Sequence, residues 1–241
     1  VITEHIAITN CVITGYKLGS LLDGSYIPEP VSWVCGRFKL GTESNGGYKN
    51  ISLSNCTFMY SSGLAFEEVD QGIMENITVS NITMNHVHHY PIYITTGCRN
   101  RGPKERTTVS TGRDIMISNM VANDVDSLAG IIVTGMPDEP LRNITLSNIQ
   151  LQFRGGGRAE LAKREYREQG KNYPEPRFAK ETPAYGLFAR HVDGLEVNNV
   201  TFRTMKPEYR PAAMLVDVKN ESITNLKADL QKGAKLIVKK K

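Results

Sequence analysis

The segments HIAITNCVIT (5–14), NISLSNCTFM (50–59), NITVSNITMN (76–85), DIMISNMVAN (114–123), NITLSNIQLQ (143–152) and GLEVNNVTFR (194–203) share one pattern. Each is a short alternating strand, a polar pair ending in Asn, and a second short strand. SITNLKADL (222–230) is a weaker seventh copy. The aligned asparagines are Asn10, Asn55, Asn81, Asn119, Asn148, Asn199 and Asn225. Their shortest separation is 26 residues, and the longer ones read as 26 plus a loop. Repetition of one strand unit at a fixed period is the mark of a solenoid, whose layers bury a core only by stacking on their neighbours.

A second set of apolar strands falls between the copies: GRFKLG (36–41), SGLAFEE (62–68), YPIYITT (90–96), GIIVTG (130–135), YGLFAR (185–190) and AAMLVDV (212–218). Period-two alternation dominates, and only 158–169 reads as an amphipathic helix. The expected fold is all-β, a single-stranded right-handed parallel β-helix forming one domain over 1–241. Its layers stack at about 4.8 Å, so equivalent residues align in ladders. The repeated Asn is expected at a bend, bonding its equivalents above and below and satisfying polar groups buried there. Loop insertions are expected near 20–35, 97–113 and 154–184, the last charged and rich in Gly and Pro. Long loops on a rigid scaffold are favoured places for function.

Composition bounds the function. The 241 residues carry a formal net charge of +4, with 22% charged residues. That balance argues against a dedicated nucleic-acid binder. No apolar run reaches the ~20 residues of a membrane-spanning helix. Cys11, Cys35, Cys56 and Cys98 show no zinc spacing, and Cys11 and Cys56 read as buried fillers with no bridge required. Seven N-x-S/T sequons follow from the repeat itself and are weak evidence for glycosylation. The sequence opens at Val1 inside a strand pattern, which suggests that something preceded it.

Alternation assigns faces to the second strand set. Phe38, Leu40, Leu64, Phe66, Ile92 and Ile94 point inward. Arg37, Lys39, Ala65, Glu67, Tyr93 and Thr95 point outward. Lys39, Glu67 and Tyr93 are expected in one column, with Lys39 and Glu67 as ion-pair neighbours. Arg99 and Arg101 follow the third strand, and arginine forks match carboxylates in a bidentate way. Glu68 and Asp70 are weak candidates for an inverting acid and base, which need carboxyls roughly 6.5–9.5 Å apart. His86, His88 and His89 suggest a metal cluster at first sight, but adjacent turn histidines seldom converge; His88 reads better as a sugar ligand. Tyr185, beside Arg190 and His191, is either a sugar-stacking platform or the edge of the core. Asp23 reads as a turn residue before Gly24. No metal and no cofactor is expected.

GRFKLGTESNGGYKNISLSNCTF, SSGLAFEEVDQGIMENITVSNITM and YPIYITTGCRNRGP resemble successive coils of glycoside hydrolase family 28, the polygalacturonase group, and PAYGLFARHVDGLEVNNVTF resembles its late coils. The likeness is to its bacterial branch and spans the whole chain. It implies a pectin-lyase-like solenoid that hydrolyses α-linked galacturonate bonds in pectic polysaccharide by inversion, in a secreted or periplasmic setting. The chain also departs from the family. No Asp-Asp occurs, Gly36 stands where the family has His, and Ala65, Phe66 and Glu67 stand where it has Arg-Ile-Lys. The resemblance therefore puts the catalytic aspartates on coils upstream of Val1. Arg37, Lys39, Glu67, His88, Arg99, Arg101 and Tyr185 remain as the expected substrate-binding residues. Two rival readings stay open: a non-catalytic polysaccharide-binding β-helix, and a calcium-dependent polysaccharide lyase.

Overall fold

The computed structural model describes residues 1–20, 22–28, 36–102, 108–127, 130–174 and 181–241. Cys35 and parts of the three expected insertions lie outside the described residues. Sixteen strands occur within them: β1 (Thr3–Thr9), β2 (Val12–Thr14), β3 (Tyr16–Leu18), β4 (Ile27–Pro28), β5 (Phe38–Thr42), β6 (Tyr48–Met59), β7 (Leu64–Glu68) and β8 (Ile73–Val87), followed by β9 (Ile92–Thr96), β10 (Thr111–Val125), β11 (Ile131–Thr134), β12 (Leu141–Gly155), β13 (Leu187–Lys206), β14 (Ala213–Lys219), β15 (Ser222–Ala228) and β16 (Ile237–Lys240). The expected helix at 158–169 shrinks to one 3-10 turn, Ala159–Lys163, with none of its residues buried. A short amphipathic run gains little as a helix unless its apolar face packs, and here the chain continues as an extended strap.

The protein is all-β, built on one large sheet. Its order is β1-β6-β8-β10-β12-β13-β11-β9-β7-β5, with β2, β14, β15 and β16 attached. Every pairing in that sheet is parallel, and among the described residues only the small β3–β4 pair is antiparallel. The order doubles back at β13. Its first residues pair with β11 and β14, and its later ones with β12 and β15. The sheet thus has two limbs, and the chain alternates between them. The repeated copies form the first limb (β6, β8, β10, β12) and the second strand set forms the other (β5, β7, β9, β11).

The long strands are made of short pieces joined by single left-handed residues. In β8 these are Asn76, Asn81 and His86; in β6, Asn50 and Asn55, with Tyr60 just beyond; in β10, Asp114, Asn119 and Asp124. They recur every fifth residue with φ of 53–56°. Asn and Asp tolerate this conformation because their short side chains bond locally, whereas other side chains pay about 1–2 kcal/mol. Parallel register stacks the bends. Asn76 Nδ2 donates to Asn50 Oδ1 at 2.6 Å. A second ladder runs Asn81 to Asn55 (3.0 Å), Asn119 to Asn81 (3.2 Å), Asn148 to Asn119 (3.1 Å), Asn199 to Asn148 (2.9 Å) and Asn225 to Asn199 (2.8 Å). The ladder forms as expected but is exposed rather than buried, so its bonds trade against water. At the first rung the pattern breaks, and Asn55 turns to the Thr9 hydroxyl at 3.4 Å instead.

The core lies between the two limbs. Leu53, Phe58, Ile77, Ile82, Ile117 and Leu151 from one limb meet Leu40, Leu64, Phe66, Ile92, Ile94 and Val133 from the other. The inward residues assigned by alternation are all there, with Phe38 packed against the cluster. Cys56 is buried in it, Cys11 packs at its edge, and both are free thiols, as is Cys98. No helix among the described residues is long and apolar enough to cross a membrane.

Asn119 separates the two contributions of the ladder. Asn119→Gly keeps the bend and loses two exposed bonds, so urea unfolding is expected to show a loss of about 1–2 kcal/mol. Asn119→Ala also forces a Cβ into the left-handed region and is expected to lose about 1 kcal/mol more. Equal losses for the two variants would mean that backbone conformation contributes nothing.

Candidate functional site

The outward face of the second limb is not open. Tyr93, Ile132, Phe188 and Met214 form a second apolar cluster with Tyr90 and Ala184. Residues 157–173 of the insertion lie across it as a strap, with Tyr166 packed against the cluster. Arg190, which faces outward beside this cluster, donates from Nη1 to Tyr166 O (2.5 Å) and from Nη2 to Arg167 O (2.9 Å), and also pairs with Glu168 at 3.1 Å. His191 is bridged by Asp217 at 2.7 Å and Glu168 at 3.2 Å. Cys98 N donates to Gly170 O at 2.9 Å. One buried pair fastens both roots of the strap. Glu208 accepts from Gly157 N at 2.9 Å, and Arg210, 1% exposed, reaches Thr182 O at 3.1 Å and Glu208 at 2.9 Å. A Cβ on Gly157 would sit 2.2 Å from the Glu208 carboxylate, so this root needs glycine.

At the far end of the strap, over β5 and β7, the charged candidates gather. Lys39 Nζ lies 2.7 Å from Glu67 Oε2, the expected ion pair. The column is corrected, however. Lys39 stands level with Ala65 and Tyr93, while Glu67 is level with Gly41 and Thr95, two residues further on. The pair is diagonal, within reach because a lysine is long. Glu67 is fully buried rather than exposed in a groove, with Arg37 Nη1 at 4.0 Å and Thr42 Oγ1 at 3.5 Å. Alternation could not foresee that Arg37, Lys39 and Thr42 close over it, with Tyr173 of the strap resting on Thr42 and Lys39 in turn.

Glu68 and Asp70 do not form an acid–base pair open to substrate. Both are buried and hold the bend after β7. Glu68 Oε1 accepts from Asp70 N and Gly72 N, each at 3.2 Å. Burial raises its pKa to about 7, against the opposing pull of those two donors. Asp70 accepts from Arg99 Nε at 3.1 Å, from Arg99 Nη2, and from Arg101 N at 3.0 Å. Burial pushes its carboxyl up, but the Arg99 and Arg101 donors together hold it below the usual range. This is loop scaffolding: it pins the two arginines where they stand.

Arg99 is therefore held rigidly, its side chain 5% exposed. Its guanidinium carbon lies 5.5 Å from the centre of the Tyr173 ring, and Lys39 Nζ lies 5.7 Å from the same ring. Tyr173 comes from the strap, is 40% exposed, and its hydroxyl meets Thr42 Oγ1 at 3.3 Å. Arg99 Nη1 is shielded from solvent and has no hydrogen-bond partner among the described residues. Arg101 is exposed beside it and pairs with Glu43 at 3.3 Å. Sequence reading missed Tyr173; the Asn-Tyr-Pro stretch in a charged loop was the available signal. Comparison with protein-family models, curated proteins and solved structures finds no match to this chain.

The remaining candidates lie elsewhere. His88 precedes β9 while Arg99 follows it, so the strand separates them. It is half-buried, and burial together with Arg154 and His89 lowers its pKa despite Asp126 and Asp124. His86 stacks on Tyr60, ring centres 4.6 Å apart, and meets Asp124, which Arg154 also binds at 2.6 Å. Among the described residues no three His, Cys, Asp or Glu side chains converge as a metal site. Tyr185 is core and not a sugar platform: it is 1% exposed, packs edge-on against Phe153, and donates to Asp229 O at 2.8 Å. Asp23 is a turn residue, accepting from Ser25 N at 2.9 Å.

Two outcomes are expected. Glu68 has a raised native pKa, so the native state binds the extra proton between about pH 4.5 and 7, and its charge destabilises the fold above that window. Glu68→Gln should therefore gain stability relative to the parent as pH rises from 4.5 to 8, by up to about 3 kcal/mol in denaturant titrations. A gap that stays constant with pH would show that Glu68 ionises normally. Arg190→Ala should release the strap, and trypsin should then cut at Lys163, Arg164 or Arg167 at least tenfold faster than in the parent.

Proposed function

We propose that this chain is a right-handed parallel β-helix of a polygalacturonase-like glycoside hydrolase, and that its own share of the work is to hold an acidic pectic chain. The observation that carries this reading is Arg99. Two of its nitrogens are spent on Asp70, and the third, Nη1, is buried without an acceptor. A buried donor left unpaired costs about 1–3 kcal/mol, which a ligand oxygen would recover. A uronate carboxylate suits a planar guanidinium, and Tyr173 offers a ring for the apolar face of a pyranose. Lys39 and Arg101 supply further positive charge at the same edge.

The hydrolytic step rests on the resemblance alone. An inverting glycosidase protonates the leaving oxygen with one carboxylic acid while a second carboxylate activates water on the opposite face. The resemblance assigns those groups to aspartate motifs, and no Asp-Asp occurs in residues 1–241. Because Glu68 and Asp70 are both buried and Asp70 is taken up by Arg99 and Arg101, a second reading is favoured for the chain by itself: a polysaccharide-binding β-helix without chemistry of its own.

Affinity electrophoresis on polygalacturonate tests the binding. Tyr173→Ala and Arg101→Ala, both at exposed positions, should each weaken retention roughly tenfold, and fully methyl-esterified pectin should retain neither variant nor parent. Unchanged retention in both variants would remove this site. Product analysis on homogalacturonan and rhamnogalacturonan fragments separates the chemistries. Saturated products of inverted configuration support hydrolysis, unsaturated ultraviolet-absorbing ends support a lyase, and retention without cleavage supports the binding module.

A further inference from the structure

A pocket of about 430 Å3 lies at the other end of the strap, within the roughly 300–1,000 Å3 range of small-molecule sites. Ala159 and Ala162 come from the 3-10 turn, Pro211 and Met214 from the approach to β14 and β14 itself, and Val238 from β16. These form an apolar lining. Lys163, Lys235 and Lys240 stand around it with Tyr209, which is 46% exposed. None of the three lysines makes an ion pair with a described residue, and no acidic side chain is among the described residues that line the pocket.

We propose that this pocket is a second, non-catalytic binding site for a uronate unit of an acidic oligosaccharide. The chemistry has two halves. A pyranose presents a C–H face that an apolar floor and an exposed tyrosine ring accept. Its carboxylate then meets three lysines, which act as mobile point charges and need no fixed fork geometry. A neutral sugar would use only the first half, and a compact inorganic anion only the second. The position supports the assignment. Lys39 and Met214 stand at the two ends of one column, through Ala65, Tyr93, Ile132 and Phe188. Five strand spacings of about 4.8 Å put the two sites about 24 Å apart on one face, with the strap running between them. A long polyuronate chain held at both ends gains affinity through effective concentration, with no new contact at either site. The choice of ligand class rests on the acidic-glycan reading above; the location does not.

The test is NMR titration of the chain with trigalacturonate and with its fully methyl-esterified form. Trigalacturonate should shift the resonances of Tyr209, Ala234 and Lys235, the ester should not, and a Lys163→Ala, Lys235→Ala double variant should raise the dissociation constant at this pocket at least tenfold. Long polygalacturonate should bind the parent more tightly than trigalacturonate does, and that advantage should vanish in the double variant. Shifts confined to Lys39, Arg99 and Tyr173 would overturn the second pocket and leave the proposed function standing. Shifts confined to the pocket would keep it and remove the Arg99 site. Shifts at neither, or equal shifts with the ester, would overturn the pocket's assignment to a uronate.

Discussion

Each layer of this protein must set its bends directly above those of the layer beneath. A parallel sheet gains its hydrogen bonds only in register, and a bend one residue out of step would turn every following side chain to the wrong face. The protein meets this demand with one left-handed residue in five, and asparagine holds most of these places. The same residue serves twice. Its backbone makes the corner, and its amide bonds the corner of the next layer at 2.6–3.2 Å. Each bond is weak because it is wet, but a corner that slipped would lose several at once.

Where asparagine is absent, something else steadies the corner. Tyr60 and His86 hold the third bend of their layers with φ of 54° and lie face to face. Asp124 continues that column and is gripped by Arg154 from the following layer. Stacking of rings and pairing of charges here do what amide bonds do one bend earlier.

Much of this was legible in the sequence. The six copies and the intervening strands gave two families of strand, and period-two alternation put Phe38, Leu40, Leu64, Phe66, Ile92 and Ile94 in the core correctly. The five-residue recurrence of Asn50, Asn55 and Tyr60, or of Asn76, Asn81 and His86, was also there to be read as a series of corners. The site was less legible, for one physical reason. Whether an outward residue is exposed depends on what a distant segment does. Glu67 and Tyr93 face outward as expected, yet both are buried: Arg37, Lys39 and Thr42 close over Glu67, and Gln169 of a strap 76 residues further along the chain meets the Tyr93 hydroxyl. Tyr185 and Glu68 failed for a related reason: the Tyr185 hydroxyl and Glu68 Oε1 are bonded to backbone groups that only the folded bend or the neighbouring layer brings close.

The pair Glu208 and Arg210 has a consequence beyond its own bonds. Both feet of the strap, Gly157 and Thr182, are moored to two side chains that lie outside it, and a further arm of Arg210 reaches Ser127 O at 2.5 Å. The moorings lie in the approach to β14, so the strap is fixed at both feet by residues of a single connection. A change confined to the exposed side chains of that span, such as Tyr173, would alter what the outer wall presents while both moorings and the sheet beneath keep their bonds.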